Sequence, residues 1–213
     1  MADPRPAPLL IADAPALDFL NSIASPAGTP VEWLGNGKDL LDWLQTAGLV
    51  PTEVLNSLRR TSVPGELDAV AAQARALREW FRGFVYEHKG RRLRAEALKD
   101  LAPLNRILER DQQYGQIVRR ERGQDPQMRS GLAWRPMGRW QTPDTLLLPL
   151  ARSMAELISN EDFSHVKACE GPTCTLLFFD RTHGRAKRWC SMSICGNRAK
   201  QAAHRKRERR VTS

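Results

Sequence analysis

The 213-residue chain has four cysteines, all between residues 169 and 195. Cys169 and Cys174 have four residues between them, and Cys190 and Cys195 repeat that spacing. The thiols therefore form one set with none left over. Soft thiolates in two short-spaced pairs suit a tetrahedral zinc ion, whose closed shell of four sulfurs needs no water and leaves no open position for catalysis. The expectation is one structural Zn2+ on Cys169, Cys174, Cys190 and Cys195. His165, His183 and His204 lack ligand-like spacing; exposed positions, or a phosphate contact for His204, suit them better. A module of roughly 45 residues has little core of its own, so metal binding is expected to supply most of its folding.

Charge divides the chain at the same place. Residues 1–164 carry 21 Lys and Arg against 21 Asp and Glu, whereas residues 165–213 carry 12 against 3, which is the whole net charge of +9. A neutral domain over 1–164 and a cationic zinc module over 165–213 are expected. The module reads as a surface for a polyanion, with a merely solvated face as the alternative. The apolar run 146–150 contains Pro149 and is far short of the roughly 18–20 residues of a membrane span. The proline-rich start with Asp3 does not match a secretory signal. A cytoplasmic protein is expected, in a reducing compartment that favours metal over disulfides.

Apolar spacing predicts a mainly α (α+β) fold. A short helical run covers 16–22, with Asp13 as its expected cap. A helix follows over 38–45, stopped by Gly48, and another is capped by Thr52. The longest opens at Pro64 and buries a stripe from Leu67 to Val85. A helix over 94–109 places Leu98, Leu101 and Leu104 inward, with Pro103 as a kink or a split. Residues 115–120 and 131–136 read as a hairpin with its turn at 123–127. A last apolar helix covers 146–158. In the module, a knuckle at 169–174, a hairpin of 176–180 with 188–190 and a helix from Gly196 give the order of a treble clef. A zinc ribbon is the alternative, disfavoured by the helix-forming run 198–203.

Here the sequence resembles a known family. Arg188-Trp189-Cys190-Ser191-Met192 and Cys195-Gly196-Asn197-Arg198-Ala199-Lys200 resemble the CGNR zinc finger, and Phe178-Phe179-Asp180 is similar too. Residues 17–22 and 39–44 resemble the opening of the ABATE domain, which commonly precedes that finger. The resemblance implies a bacterial stress-induced transcription regulator that binds DNA. Beside it, Gly196 permits close backbone approach, Asn197 can cap the helix, and Arg198 either pairs with Asp180 or contacts nucleic acid.

The candidate nucleic-acid-binding residues are Arg198, Lys200, Arg205, Lys206, Arg207, Arg209 and Arg210 on the helix, with Arg185, Lys187 and Arg188 as a second cluster. Phosphate neutralisation by such a set predicts steep salt dependence. DNA is the expected partner. RNA, or a protein such as polymerase or the ribosome, is the alternative, with Trp189 and His183 available to stack on bases. Trp189, beside a ligand, also suits packing. Of six tryptophans, five lie before residue 165; they read as core and hairpin packing, or as an aromatic-lined pocket. Asp18, Asn21 and Trp43 are candidates for an effector pocket in a domain that senses a small molecule or forms a homodimer; Asp18 and Asn21, polar within an apolar run, equally suit a hydrogen bond within the core or a turn cap. No Ser-His-Asp order or glycine-rich phosphate loop points to an enzyme.

Overall fold

A computed structural model describes residues 5–25, 28–120 and 131–211. The turn expected at 123–127 lies outside them. The fold is mainly helical, with three small two-stranded antiparallel sheets among the described residues. Helix α1 (Pro15–Leu20) leads through β1 (Ile23–Ala24) and β2 (Val31–Glu32) to α2 (Gly37–Thr46), α3 (Thr52–Thr61) and the long α4 (Glu66–His88). A 3-10 turn at Ala95–Leu101 and α5 (Ala102–Leu108) precede the hairpin β3 (Tyr114–Arg119) and β4 (Leu132–Met137). Helix α6 (Leu147–Asn160), β5 (Val166–Ala168), β6 (Leu177–Phe179) and α7 (Asn197–Val211) complete the chain.

The predicted helices form where apolar side chains recur on one face. On α4, Ala71, Ala74, Phe81 and Val85 are fully buried, three to seven residues apart. Leu150, Ala151 and Met154 do the same on α6. Short α1 lies at the centre, against α4, α6 and β6. Its Phe19 meets Trp43 edge-on with ring centroids 5.8 Å apart. Arg78, a buried cation of α4, is paired rather than stranded: it reaches Glu32 at 2.6 Å, Glu79 at 2.9 Å and the Ser22 hydroxyl at 2.9 Å. That clamp ties β1 and β2 to the long helix.

Helix starts differ from expectation. Asp13 does not cap α1: its backbone is left-handed at φ 60° and its carboxylate turns to Lys187 at 2.8 Å. Thr52 is the first helical residue rather than the cap, because Pro51 holds the preceding position at φ −58°. The long helix begins at Glu66, after Gly65 at φ 84°, not at Pro64. Pro103 splits the next helix: it falls in the first turn of α5, where a missing N–H costs nothing. Ahead of that split the backbone winds as 3-10, and its tighter period turns Leu98 outward to 65% exposure.

The largest correction concerns β6. Its partner is β5, in the register Val166↔Phe179 and Ala168↔Leu177, not residues 188–190. Leu176 to Asp180 are all buried, so no in–out alternation marks the strand's faces. Residues 188–190 instead cross the knuckle, and the Arg188 carbonyl accepts from the Glu170 amide at 3.0 Å. Leu176, Leu177, Phe178 and Phe179 share one apolar core with α1, α4 and α6. Two polar ties reinforce that junction. The buried Asn21 amide donates to the Leu177 carbonyl at 2.8 Å and accepts from its N–H at 2.9 Å. The Phe179 amide donates to the Ala12 carbonyl at 2.8 Å.

Candidate metal centre

The β5–β6 hairpin carries the first cysteine pair at its tip. Cys169 follows β5, and Gly171 lets the chain double back. A Cβ on Gly171 would sit 3.0 Å from the Cys195 sulfur and 3.1 Å from Cβ of Cys174, so a side chain there would push these neighbours by a few tenths of an ångström. Cys190 arrives on the crossing segment. Cys195 lies in a single π-type turn, Met192–Gly196, that runs directly into α7. The Ser191 hydroxyl caps this turn, accepting from the Ile194 amide at 3.0 Å. Ser191 thus takes the capping role expected of Asn197, which lies exposed as the first residue of α7.

The four sulfurs lie within 4.8 Å of one another, and Cys169, Cys190 and Cys195 are buried. The Cys174–Cys190 sulfur pair is 4.0 Å apart, about twice a disulfide bond. It is close to the ~3.8 Å edge of a regular tetrahedron with Zn–S bonds of about 2.3 Å. Backbone amides of Gly171 and Cys190 point at the Cys169 sulfur from 3.4 and 3.3 Å, as donors that stabilise a thiolate. The proton balance points the same way. A hydrogen bond from Cys190 brings the Cys174 thiol down to about 5. That bond and burial push Cys190 up, and burial first pushes Cys195 up to about 12. Protons alone let one thiolate form and oppose the next; a divalent cation removes the conflict. The donor set therefore fits a single structural zinc, with every sulfur used and no position left for substrate.

Asp180 organises the segment between the cysteine pairs. Its carboxylate is completely buried and accepts from Lys167 Nζ at 2.7 Å, from the Thr182 amide and hydroxyl at 3.0 and 2.6 Å, and from the Lys187 amide at 3.0 Å. Burial opposes its charge, but these donors win and hold it well below the usual carboxylate range. Arg198 is not among its partners. It lies exposed on α7, where its position lines a cleft of about 220 Å3 with Gly171, Cys174, Ala199 and Arg205.

The structure separates the two basic clusters. Arg185 adopts φ 47°, donates to the Asp180 carbonyl and accepts from Lys167. Lys187 pairs with Asp13 and lies 4.9 Å from the Phe178 ring centroid. Arg188 grips Glu170 at 2.6 and 2.7 Å and covers half-buried Trp189. These three cations fasten the finger to itself and to the helical body. On α7, Arg198, Lys200 and Arg205 are exposed; the side chains of Lys206, Arg207, Arg209 and Arg210 lie outside the described residues. The effector-pocket candidates are dispersed. Trp43 lines a cleft of about 180 Å3 with Arg5, Trp33 and Asp39. Asn21 holds Leu177, and Asp18 accepts from the Ala12 amide at 2.9 Å, with burial raising its carboxyl to about 6.

A hydrogen bond within the core is one reading of Asn21, and the structure bears it out; its partner Leu177 and the β5–β6 pairing were missed in the sequence. The signal available was a lone amide in an apolar run. A second group of ligand-type residues, Glu87, His88 and Asp100, also converges within 4.8 Å. No helix among the described residues is long and apolar enough to cross a membrane. In comparisons with known families, residues 13–161 match the ABATE model, described as "Putative stress-induced transcription regulator". Residues 165–208 match the CGNR zinc finger. No curated protein matches the chain.

Proposed function

This chain belongs to the ABATE family and carries a CGNR zinc finger, and from that premise we propose that it is a DNA-binding transcription regulator. The zinc centre fixes the start of α7, and the helix presents Arg198, Lys200 and Arg205 to the phosphates of a duplex; Lys206, Arg207, Arg209 and Arg210 add positive charge to the same stretch of sequence. The helical body senses an effector or mediates homodimerisation, with the Trp43 cleft as its candidate pocket. The observation that carries this reading is the exposed cationic helix launched directly from the last cysteine ligand. Neither matched family is an enzyme family, and the closed sulfur set suits structure rather than catalysis.

Removing everything after His165 would also strip Leu177, Phe178 and Phe179 from the shared core. The informative deletion therefore ends at Gly196, which keeps all four cysteines. Fluorescence anisotropy on a mixed-sequence duplex is expected to show binding by the full chain, weakening steeply with salt, and none by the shortened one. Equal binding by both, or a flat salt titration, rules the reading out. Selection from a DNA and RNA pool tests the adaptor alternative: preferential recovery of RNA favours it.

A further inference from the structure

The hairpin of β3 and β4 stands apart from the rest of the body. It packs chiefly on itself, and among the described residues neither of its outer edges is paired. Cross-strand pairing puts Gly115, Ile117 and Arg119 on one face with Pro136, Trp134 and Leu132. On that face Ile117 is 61% exposed, Leu132 56% and Trp134 66%. The Trp134 indole lies against the backbone of Gly115, where a Cβ would come within 2.3 Å of Nε1.

The charge on this ribbon is one-sided. From residue 114 to 140 the sequence carries six Arg against two acids, Glu121 and Asp125, a net charge of +4. The body that carries them is otherwise acidic enough to reach neutrality over 1–164. At the base of the ribbon, Arg139 lies over the exposed Tyr114 ring at 5.2 Å, Tyr114 being on the face opposite Trp134. A hairpin with this excess of arginine suits a polyanion: arginines for phosphates, and an exposed aromatic with branched apolar side chains for base edges or opened steps. A two-stranded ribbon also has the width to enter a groove of B-form DNA.

We infer that the β3–β4 hairpin is a second DNA-contacting element, with Trp134, Ile117 and Leu132 in a groove of the duplex and Arg119 and Arg139 at its phosphates. This rests on the DNA-binding reading and extends it: the protein holds the duplex at two separate places, the ribbon of its neutral body and the basic helix of its finger. Unequal mutational signatures follow. Loss of Trp134 removes a stacking or wedge contact and lowers affinity by about tenfold. Loss of Arg119 and Arg139 removes two phosphate contacts and lowers the salt slope by about two.

The test uses the full-length, zinc-loaded protein and a mixed-sequence DNA duplex as probe. Trp134→Ala and the pair Arg119→Gln with Arg139→Gln are compared with wild type by anisotropy across a salt series. Zinc content and thermal unfolding check that each variant is folded. Photo-crosslinking with peptide mass spectrometry then maps the contact on unmutated protein, so the outcome does not depend on the variants. The expected results are the two losses above and crosslinks in residues 114–137. Unchanged affinity and slope, with crosslinks confined to the finger, overturn the ribbon and leave the regulator reading standing. A variant that changes only the oligomeric state shows a protein-docking face instead and also overturns it. Wild-type protein that binds no duplex overturns both readings.

Discussion

The helical body and the zinc finger solve the same problem by opposite means. The body fixes its chain by burying apolar side chains: Phe19, Trp43, Phe81 and the leucines of α1, α2 and α6 have almost no exposed surface. The finger beyond β6 has no such supply. From Arg181 to Trp189, Lys187 and Trp189 alone are even half-buried, and α7 is polar or cationic on nearly every face. Four sulfurs and a set of ion pairs replace the apolar stripe. The two regions meet at β6, whose side chains belong to the body's core although it lies within the finger's span. A metal-dependent module on a metal-independent floor is the expectation that follows.

The sharpest way to break this contrast is to remove the metal. Cys190→Ser is expected to abolish stoichiometric zinc, because three remaining thiolates lose the closed shell. Hydrogen exchange then rises through 181–211, while β6 and α4 stay protected. Loss of protection in α4 as well would show that the body depends on the ion. The next largest effect lies on the other side of the comparison. Phe81→Ala is expected to cost the body about 3–5 kcal/mol, read by chemical denaturation, with one zinc still bound at low denaturant. Loss of zinc from the folded variant would mean that the two regions do not separate.

The junction gives an intermediate effect. Asn21→Ala leaves both the N–H and the carbonyl of Leu177 without a buried partner. A loss of about 2 kcal/mol is expected, with hydrogen exchange accelerating first at β6. Smallest is Asp18→Asn. Burial raises the Asp18 carboxyl from its usual value to about 6, so the folded state prefers the protonated form. Its stabilising contribution is present at low pH and is lost as pH rises from about 4 through about 6. The amide keeps the acceptor for Ala12 without the charge. Asp18→Asn is expected to stabilise the protein by about 1 kcal/mol at pH 7.5, after allowance for partial exposure, and to have no effect near pH 4. Equal stabilisation at both pH values would remove the charge from the explanation.

What the sequence revealed follows the same divide. Repeating apolar positions announced α2, α4 and α6, and cysteine spacing announced the centre itself, because each rests on a local pattern. Contacts made across the chain were invisible. Nothing near Phe178 indicates that β6 pairs with β5 instead of the segment at Arg188, since a strand buried throughout has no alternation to read. The capping roles given to Asp13 and Thr52 failed because a distant lysine and an adjacent proline decided their conformations. Arg198 and Asp180 are compatible by charge, yet Lys167 lies across the β5–β6 ladder from the strand leading to Asp180 and reaches it first. The hairpin of β3 and β4 was legible, but its excess of arginine vanished into a domain whose total charge is zero.

The proposed role requires sulfur-bound zinc to fix the helix that would meet nucleic acid. Its most direct test follows metal content and duplex binding on one sample, by native mass spectrometry and anisotropy, before and after chelation and again after zinc is restored. One zinc per chain is expected, with duplex affinity falling at least about tenfold on its removal and recovering on its return. Metal-free protein that binds the duplex as tightly as the loaded form, with an equally steep salt dependence, would contradict it.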